Sequence, residues 1–182
     1  SSLLKLLNRQ QKRFEGIARF DDANILGVSQ KQYSEEIFKL TQSVADSLFL
    51  ELTVFENAIL MEARTKKSKS KKHFFLEIED YLNGFNETLA KSLNTPVENL
   101  SGGEQQILML ALTMRHKPRL LLLDEHTSAL DPKTAEKVMQ FTQQHIQRKK
   151  VTCIMTTHNL EFAMNYGDRV FAMRDGKLAY QS

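Results

Sequence analysis

Hydrophobic positions along this chain change period several times, and each change marks an element. Leu3, Leu6 and Leu7 recur at helical spacing and predict a helix at the start, with Leu4 adjoining its inner face. Short apolar runs at 17–20 and 36–40 predict strands, with Asp21, Asp22, Ala23 and Asn24 as the turn between them. Thr53, Val54, Phe55, Glu56 and Asn57 open a helical stretch that continues to residue 63. Residues 74–85 return to helical period, with Phe75, Ile78, Tyr81 and Leu82 as the inner face. Pro96 marks a linker, and 104–115 form the next helix, stopped ahead of Pro118. Residues 119–123 are almost continuously apolar, the pattern of a strand covered on both faces. A helix over 132–149 follows, with Pro132 in its first turn, then a second buried strand over 151–156 and a short helix over 159–165. Runs at 170–173 and 178–181 pair around Arg174, Asp175, Gly176 and Lys177, a hairpin signal. Strands alternating with helices predict an α/β fold, interrupted by an all-helical insert between Gln42 and about Met114.

Composition narrows this only a little. A chain of 182 residues suits one globular domain with a small inserted subdomain. A net charge of +3 is too mild to imply a nucleic-acid partner. The single cysteine, Cys153, excludes an internal disulfide; lying in the apolar run 151–155, it reads as a buried, inert thiol of a reducing compartment. No apolar run approaches the ~20 residues that span a bilayer, so a membrane role is expected to come through a partner. The basic run of Arg64, Lys66, Lys67, Lys69, Lys71 and Lys72 reads as a solvated loop that includes His73. Contact with anionic lipid headgroups is the alternative.

The chemistry gathers where elements begin or end. Ser101, Gly102 and Gly103 stand just ahead of a helix, where free backbone N–H groups favour an anion. Asp124 and Glu125 close the four-leucine strand, where they can reach a ligand at the carboxyl edge of a sheet. Thr156, Thr157 and His158 close the next strand. His116 and His145 read as surface residues. His126, directly after Glu125, reads as structural, with a place near a bound phosphate as the alternative.

Taken in order, Leu100-Ser101-Gly102-Gly103-Glu104-Gln105-Gln106, then Leu123-Asp124-Glu125, then Ser128-Ala129-Leu130-Asp131, then Thr156-Thr157-His158, this set resembles the ATPase subunit of ABC transporters. These are its signature, Walker B, D-loop and switch histidine. The resemblance implies a P-loop NTPase core with a mostly parallel sheet, residues 1–45 and 115–182, and a helical signature subdomain over 46–114. It implies ATP and Mg²⁺ as ligands. Asp124 would stand on the metal side, with Gln42 as the Q-loop residue that senses Mg²⁺ and water. Gln42 precedes the Thr53 helix start by eleven residues; Ser43 and Val44 depart from the family's usual pair after it. Glu125 would be the general base, and His158 would link the γ-phosphate to the attacking water. His126 replaces the proline usual after the catalytic glutamate.

The signature is expected to act in trans. Ser101, Gly102, Gly103 and Glu104 would meet the nucleotide held by a second copy or a paired ATPase subunit, with Asp131 touching the opposite site in a head-to-tail dimer. Transmembrane permease subunits would be the membrane partners, with no nucleic acid, and the protein would sit peripherally on the inner face of the cell membrane. Ser1 and Ser2 resemble the end of the phosphate-loop motif, with Ser1 as its metal-side hydroxyl. Its glycines and lysine are absent from the sequence, so an N-terminal segment carrying them is expected to be missing. The bacterial importers are the nearest pattern. A non-transport ABC-type ATPase and an inactive remnant are the alternatives.

Overall fold

The computed structural model describes residues 2–11, 14–62 and 70–182. Ser1 and the basic residues Arg64, Lys66, Lys67 and Lys69 lie outside the described residues.

Helix α1 (Ser2–Leu7) opens the chain and buries Leu4 completely, while Leu3 is 53 % exposed. The inner face is therefore Leu4 with Leu7 behind it, one position off the predicted stripe. The predicted first strand shrinks to β1 (Arg19–Phe20), which pairs antiparallel with β2 (Ala23–Asn24) across Asp21 and Asp22, both at positive φ. Residues 30–35, unassigned by the pattern, and Glu36, predicted as strand, form helix α2 (Gln30–Glu36), started by the Ser29 side chain accepting from the Gln32 N–H.

The central sheet is parallel, with strand β3 (Ile37–Thr41) beside β4 (Leu120–Asp124) and β4 beside β5 (Thr152–Thr156). Its four leucines make β4 the buried middle strand. Between β3 and β4 the chain builds the helical insert: α3 (Val54–Glu62), α4 (Lys71–Asn83), α5 (Glu87–Lys91) and α6 (Gly102–Arg115). The Thr53-Val54-Phe55-Glu56-Asn57 segment has a physical basis. Glu56 turns back to accept from the Thr53 N–H and hydroxyl, a capping box for α3. Buried Asn57 donates to the carbonyls of Phe49, Leu52 and Thr53 and accepts from the Phe49 N–H, which pins the preceding loop.

Ser70 caps α4, so Lys71, Lys72 and His73 begin a helix rather than a loop. The buried seam of α4 is Phe74, Ile78 and Leu82; Phe75 and Tyr81 flank it half-buried. Arg115 ties three helices together, donating to Glu62 of α3 at 3.1 Å and Glu77 of α4 at 2.5 Å. One hydrophobic cluster runs from these helices through Leu40, Leu121 and Leu123 of the sheet. A second, on the opposite face, joins Leu4, Ile25, Tyr33, Ile37, Leu120 and Leu122.

Helix α7 (Pro132–Lys149) returns to the sheet. His145 on it is 4 % exposed and stacks on Phe85, in the turn after α4, at 4.0 Å between ring centres, so it packs α7 against that turn and is not a surface residue. His116 is half-buried against Phe38. Both rings find aromatic partners that are distant in sequence. Helix α8 (Leu160–Tyr166) and a hairpin of β6 (Phe171–Arg174) and β7 (Lys177–Gln181) complete the chain. Asp175 and Gly176 at the hairpin tip both have positive φ, the backbone this two-residue turn requires. No described helix is long and apolar enough to cross a membrane.

Candidate nucleotide site

The register of the parallel sheet brings three distant segments to one edge. Thr41 pairs with Asp124, and Asp124 pairs with Thr156. Neighbouring strands lie about 4.8 Å apart, so whatever follows those residues emerges side by side at the carboxyl edge. Gln42 follows Thr41, Glu125 follows Asp124, and His158 stands two residues after Thr156.

Contacts at this edge are specific. Asp124 is tied through both oxygens: Thr156 Oγ1 donates to Oδ1 at 2.9 Å, and Lys39 Nζ stands 2.9 Å from Oδ2. Burial works to raise the Asp124 carboxyl, but these hydrogen bonds outweigh it and hold it below the ordinary carboxylate range. Glu125 has φ 54°, the left-handed region that a glutamate rarely adopts. Its N–H donates to the Thr156 carbonyl at 3.1 Å, and its own carbonyl accepts from the Ser128 hydroxyl at 2.8 Å. This unusual backbone is thus pinned at both its N–H and its carbonyl. Its Oε1 lies 2.8 Å from His158 Nε2, whose ring is 87 % exposed.

An open cleft of about 540 Å³ lies at this edge, lined by Thr41, Gln42, Ser43, Asp46, Asp124, Glu125 and Ala129. A second cleft, about 590 Å³, lies at the amino ends of β4 and β5, between Phe20, Arg119 and Lys150, away from these groups.

His126 points inward. It is 3 % exposed, 3.5 Å from Thr142 Oγ1, and burial pushes its imidazole down to about 4. The structural reading of this residue holds. Cys153 is half-buried, and burial pushes its thiol up to about 12, so it stays protonated.

The signature residues form a separate group. Ser101 caps α6 in a capping box: Glu104 accepts from the Ser101 N–H at 2.9 Å and from its hydroxyl at 2.6 Å. The Glu104 carboxylate is thus turned back on its own helix start. Ser101 and Gly102 are exposed, but Gly103 is buried. A Cβ on Gly103 would sit 2.5 Å from Thr134 Cγ2, and one on Gly102 would sit 3.3 Å from Leu130. The two glycines therefore let α6 start directly against the segment around Asp131, which itself caps α7 by accepting from the Thr134 N–H.

Gln106, quoted in the motif without a role, links the two groups. It is buried, and its Nε2 donates to the Gln42 carbonyl at 3.1 Å. Lys39 was also missed, although a lysine inside the apolar run Ile37-Phe38-Lys39-Leu40 was the visible signal. Of the two serines expected beside the nucleotide, Ser2 is the exposed first residue of α1, and Ser1 lies outside the described residues.

The chain matches known proteins in sequence and in fold. The ABC transporter family matches residues 1–128. The chain belongs to that family. A tyrosine transport ATP-binding protein of Clostridioides difficile is 33 % identical over 181 residues, covering 98 % of this chain and 72 % of the relative. In fold, the chain is similar to CbiO1 of Clostridium perfringens, part of the ABC transporter complex CbiONQ, with TM-score 0.81 at 22 % identity over 99 % of this chain and 70 % of that one. It is also similar to the ATP-binding cassette MJ0796, solved as a dimer bound to ADP and phosphate, with TM-score 0.74 at 24 % identity over 100 % of this chain and 78 % of that one. By family the chain is an ABC-type ATPase with the expected α/β P-loop NTPase fold and inserted helices.

The donors at the strand ends suit the magnesium that this family uses. Mg²⁺ takes one or two carboxylates and leaves its other positions to phosphate oxygens and water. Asp124 supplies such a carboxylate in an oxygen-lined cleft, and no group of three metal-ligating side chains exists among the described residues.

Proposed function

We propose that this chain is the ATP-hydrolysing subunit of a bacterial importer, peripheral on the inner face of the membrane and joined to permease subunits. The observation that carries the reading is the register of β3, β4 and β5, which brings Gln42, Asp124–Glu125 and His158 to one sheet edge, where Gln42, Asp124 and Glu125 line the cleft. Asp124, Gln42 and Ser1 would hold the metal side of MgATP, with Ser2 beside the phosphates. Bound Mg²⁺ would neutralise charge on the β- and γ-phosphates. Glu125 accepts a proton from water, and the 2.8 Å contact with His158 orients its carboxylate.

The separate signature group supports a two-copy site. Ser101, Gly102, Gly103 and the helix start that Glu104 caps lie against the segment bearing Asp131, so one face of the chain presents both to a partner. A head-to-tail dimer, closed on ATP, would complete each cleft with the other copy's signature. The division into a core, 1–45 with 115–182, and a signature subdomain, 46–114, belongs to the same proposal.

The direct test is Glu125→Gln in the full-length protein. ATP binding should persist, hydrolysis should fall by ~10²-fold or more, and ATP-bound dimers should accumulate in light scattering. Wild-type turnover in this variant would overturn the assignment of the base.

A further inference from the structure

Lys39 is a buried cation on the side of the sheet that carries the proposed metal carboxylate. In β3 it shares a face with Ile37 and Thr41, and it pairs in register with Leu122, two residues before Asp124. Two strand residues span about 6.6 Å, roughly the reach of an extended lysine stem. The stem thus runs along the strand, and the side chain is only 9 % exposed. Its ammonium meets Asp124 Oδ2 at 2.9 Å, while Thr156 holds Oδ1.

We propose that Lys39 is a positioning residue that competes with Mg²⁺ for Asp124 and thereby sets how much free Mg²⁺ the nucleotide site requires. This rests on the reading of Asp124 as the metal-side carboxylate. An ammonium and a divalent cation on one carboxylate oxygen repel each other at close range. Asp124 therefore passes from Lys39 to the metal as MgATP loads. Until then Lys39 keeps a half-buried carboxylate paired and aimed, which an unpaired one would not be.

The test is thermal melting of the full-length protein with a non-hydrolysable ATP analogue at fixed concentration and MgCl₂ varied. In Lys39→Met the Mg²⁺ concentration giving half the metal-dependent stabilisation should fall about tenfold, a change of roughly 1.4 kcal/mol. Lys39→Arg, which keeps the charge, should stay near wild type. A purely structural ion pair predicts a lower melting temperature with unchanged Mg²⁺ half-saturation, and that result overturns the proposal. So does a rise in the half-saturating Mg²⁺, which would mean that Lys39 assists the metal. If Lys39→Met does not fold, Lys39→Gln gives the same readings. Asp124→Asn separates the two levels. Metal-dependent stabilisation that survives in Asp124→Asn, or is absent from wild type, overturns the site reading itself. Loss in Asp124→Asn with an unchanged midpoint in Lys39→Met overturns the role of Lys39 alone.

Discussion

The strand-end cluster and the signature turn are built from opposite materials. At the sheet edge, ionisable side chains are held by one another: Lys39 by Asp124, Glu125 by His158, with Thr156 bracing both strands. At the start of α6 the Ser101 hydroxyl and the Glu104 carboxylate are both spent on the cap, and the groups on offer are the backbone N–H donors of the two glycines. The edge can hold a cation and move a proton; the turn can only cradle an anion. In the proposed two-copy site each region supplies what the other lacks, which is the physical case for that proposal.

Mixing variants breaks or confirms this complementarity, with the largest expected effect. Ser101→Arg should leave ATP binding in place but abolish hydrolysis by ~10²-fold or more, as Glu125→Gln does. In a heterodimer of the two, both lesions fall on one composite site, and the other is intact. ATPase activity should return on mixing, measured by phosphate release. A mixture as inactive as its parents would break the comparison, unless the two sites fire only together; a nucleotide-dependent crosslink from position 101 to the partner separates these cases.

pH should distinguish the regions next, because the buried titrating ring lies beside the edge. His126 falls from an ordinary value near 6.5 to about 4 in the folded chain through burial. The unfolded chain then binds more protons between those values, so stability is full above pH 6.5 and is lost as pH falls through about 4. The loss attributable to His126 is at most about 3 kcal/mol. Urea melts at pH 7 and pH 4.5 should show it, and His126→Leu should flatten the slope. An unchanged slope would place the acid sensitivity elsewhere, with His145, whose ring burial also lowers, as the next group.

The smallest effect concerns the turn. Gly103→Ala drives a methyl to 2.5 Å from Thr134 Cγ2 and should cost about 1–3 kcal/mol by overpacking. Thr134→Ser removes that methyl and should restore most of the loss in the double variant. Additive losses, read from denaturant midpoints, would show that the glycine is not there for close approach.

Several features were legible in the chain. The four leucines ending in Asp124 announced a central strand, Pro132 announced the start of α7, and Asp175-Gly176 announced the last turn. Each is local: a period, a cap or a turn chemistry. Helix α2 was not legible, because about two polar turns carry little periodicity, and only Tyr33 is buried. His145 was misplaced because Phe85, the ring it stacks on, comes from the turn after α4, and such a contact leaves no signature in spacing. The contact between Gly103 and Thr134 was invisible for the same reason.

The sequence by itself determined which chemistry is present and that it sits at element ends: an acid pair after an apolar strand, a histidine after the next, two glycines before a helix. Only the tertiary structure decided which of these meet. Strand register, a property of the whole sheet, set Thr41, Asp124 and Thr156 level and so aligned Gln42, Glu125 and His158. Close packing of α6 on α7 joined the signature to the Asp131 segment, and the direction of one strand face aimed Lys39 at Asp124. Local propensity acts over a few residues, whereas register and packing are set by contacts between segments far apart in the chain.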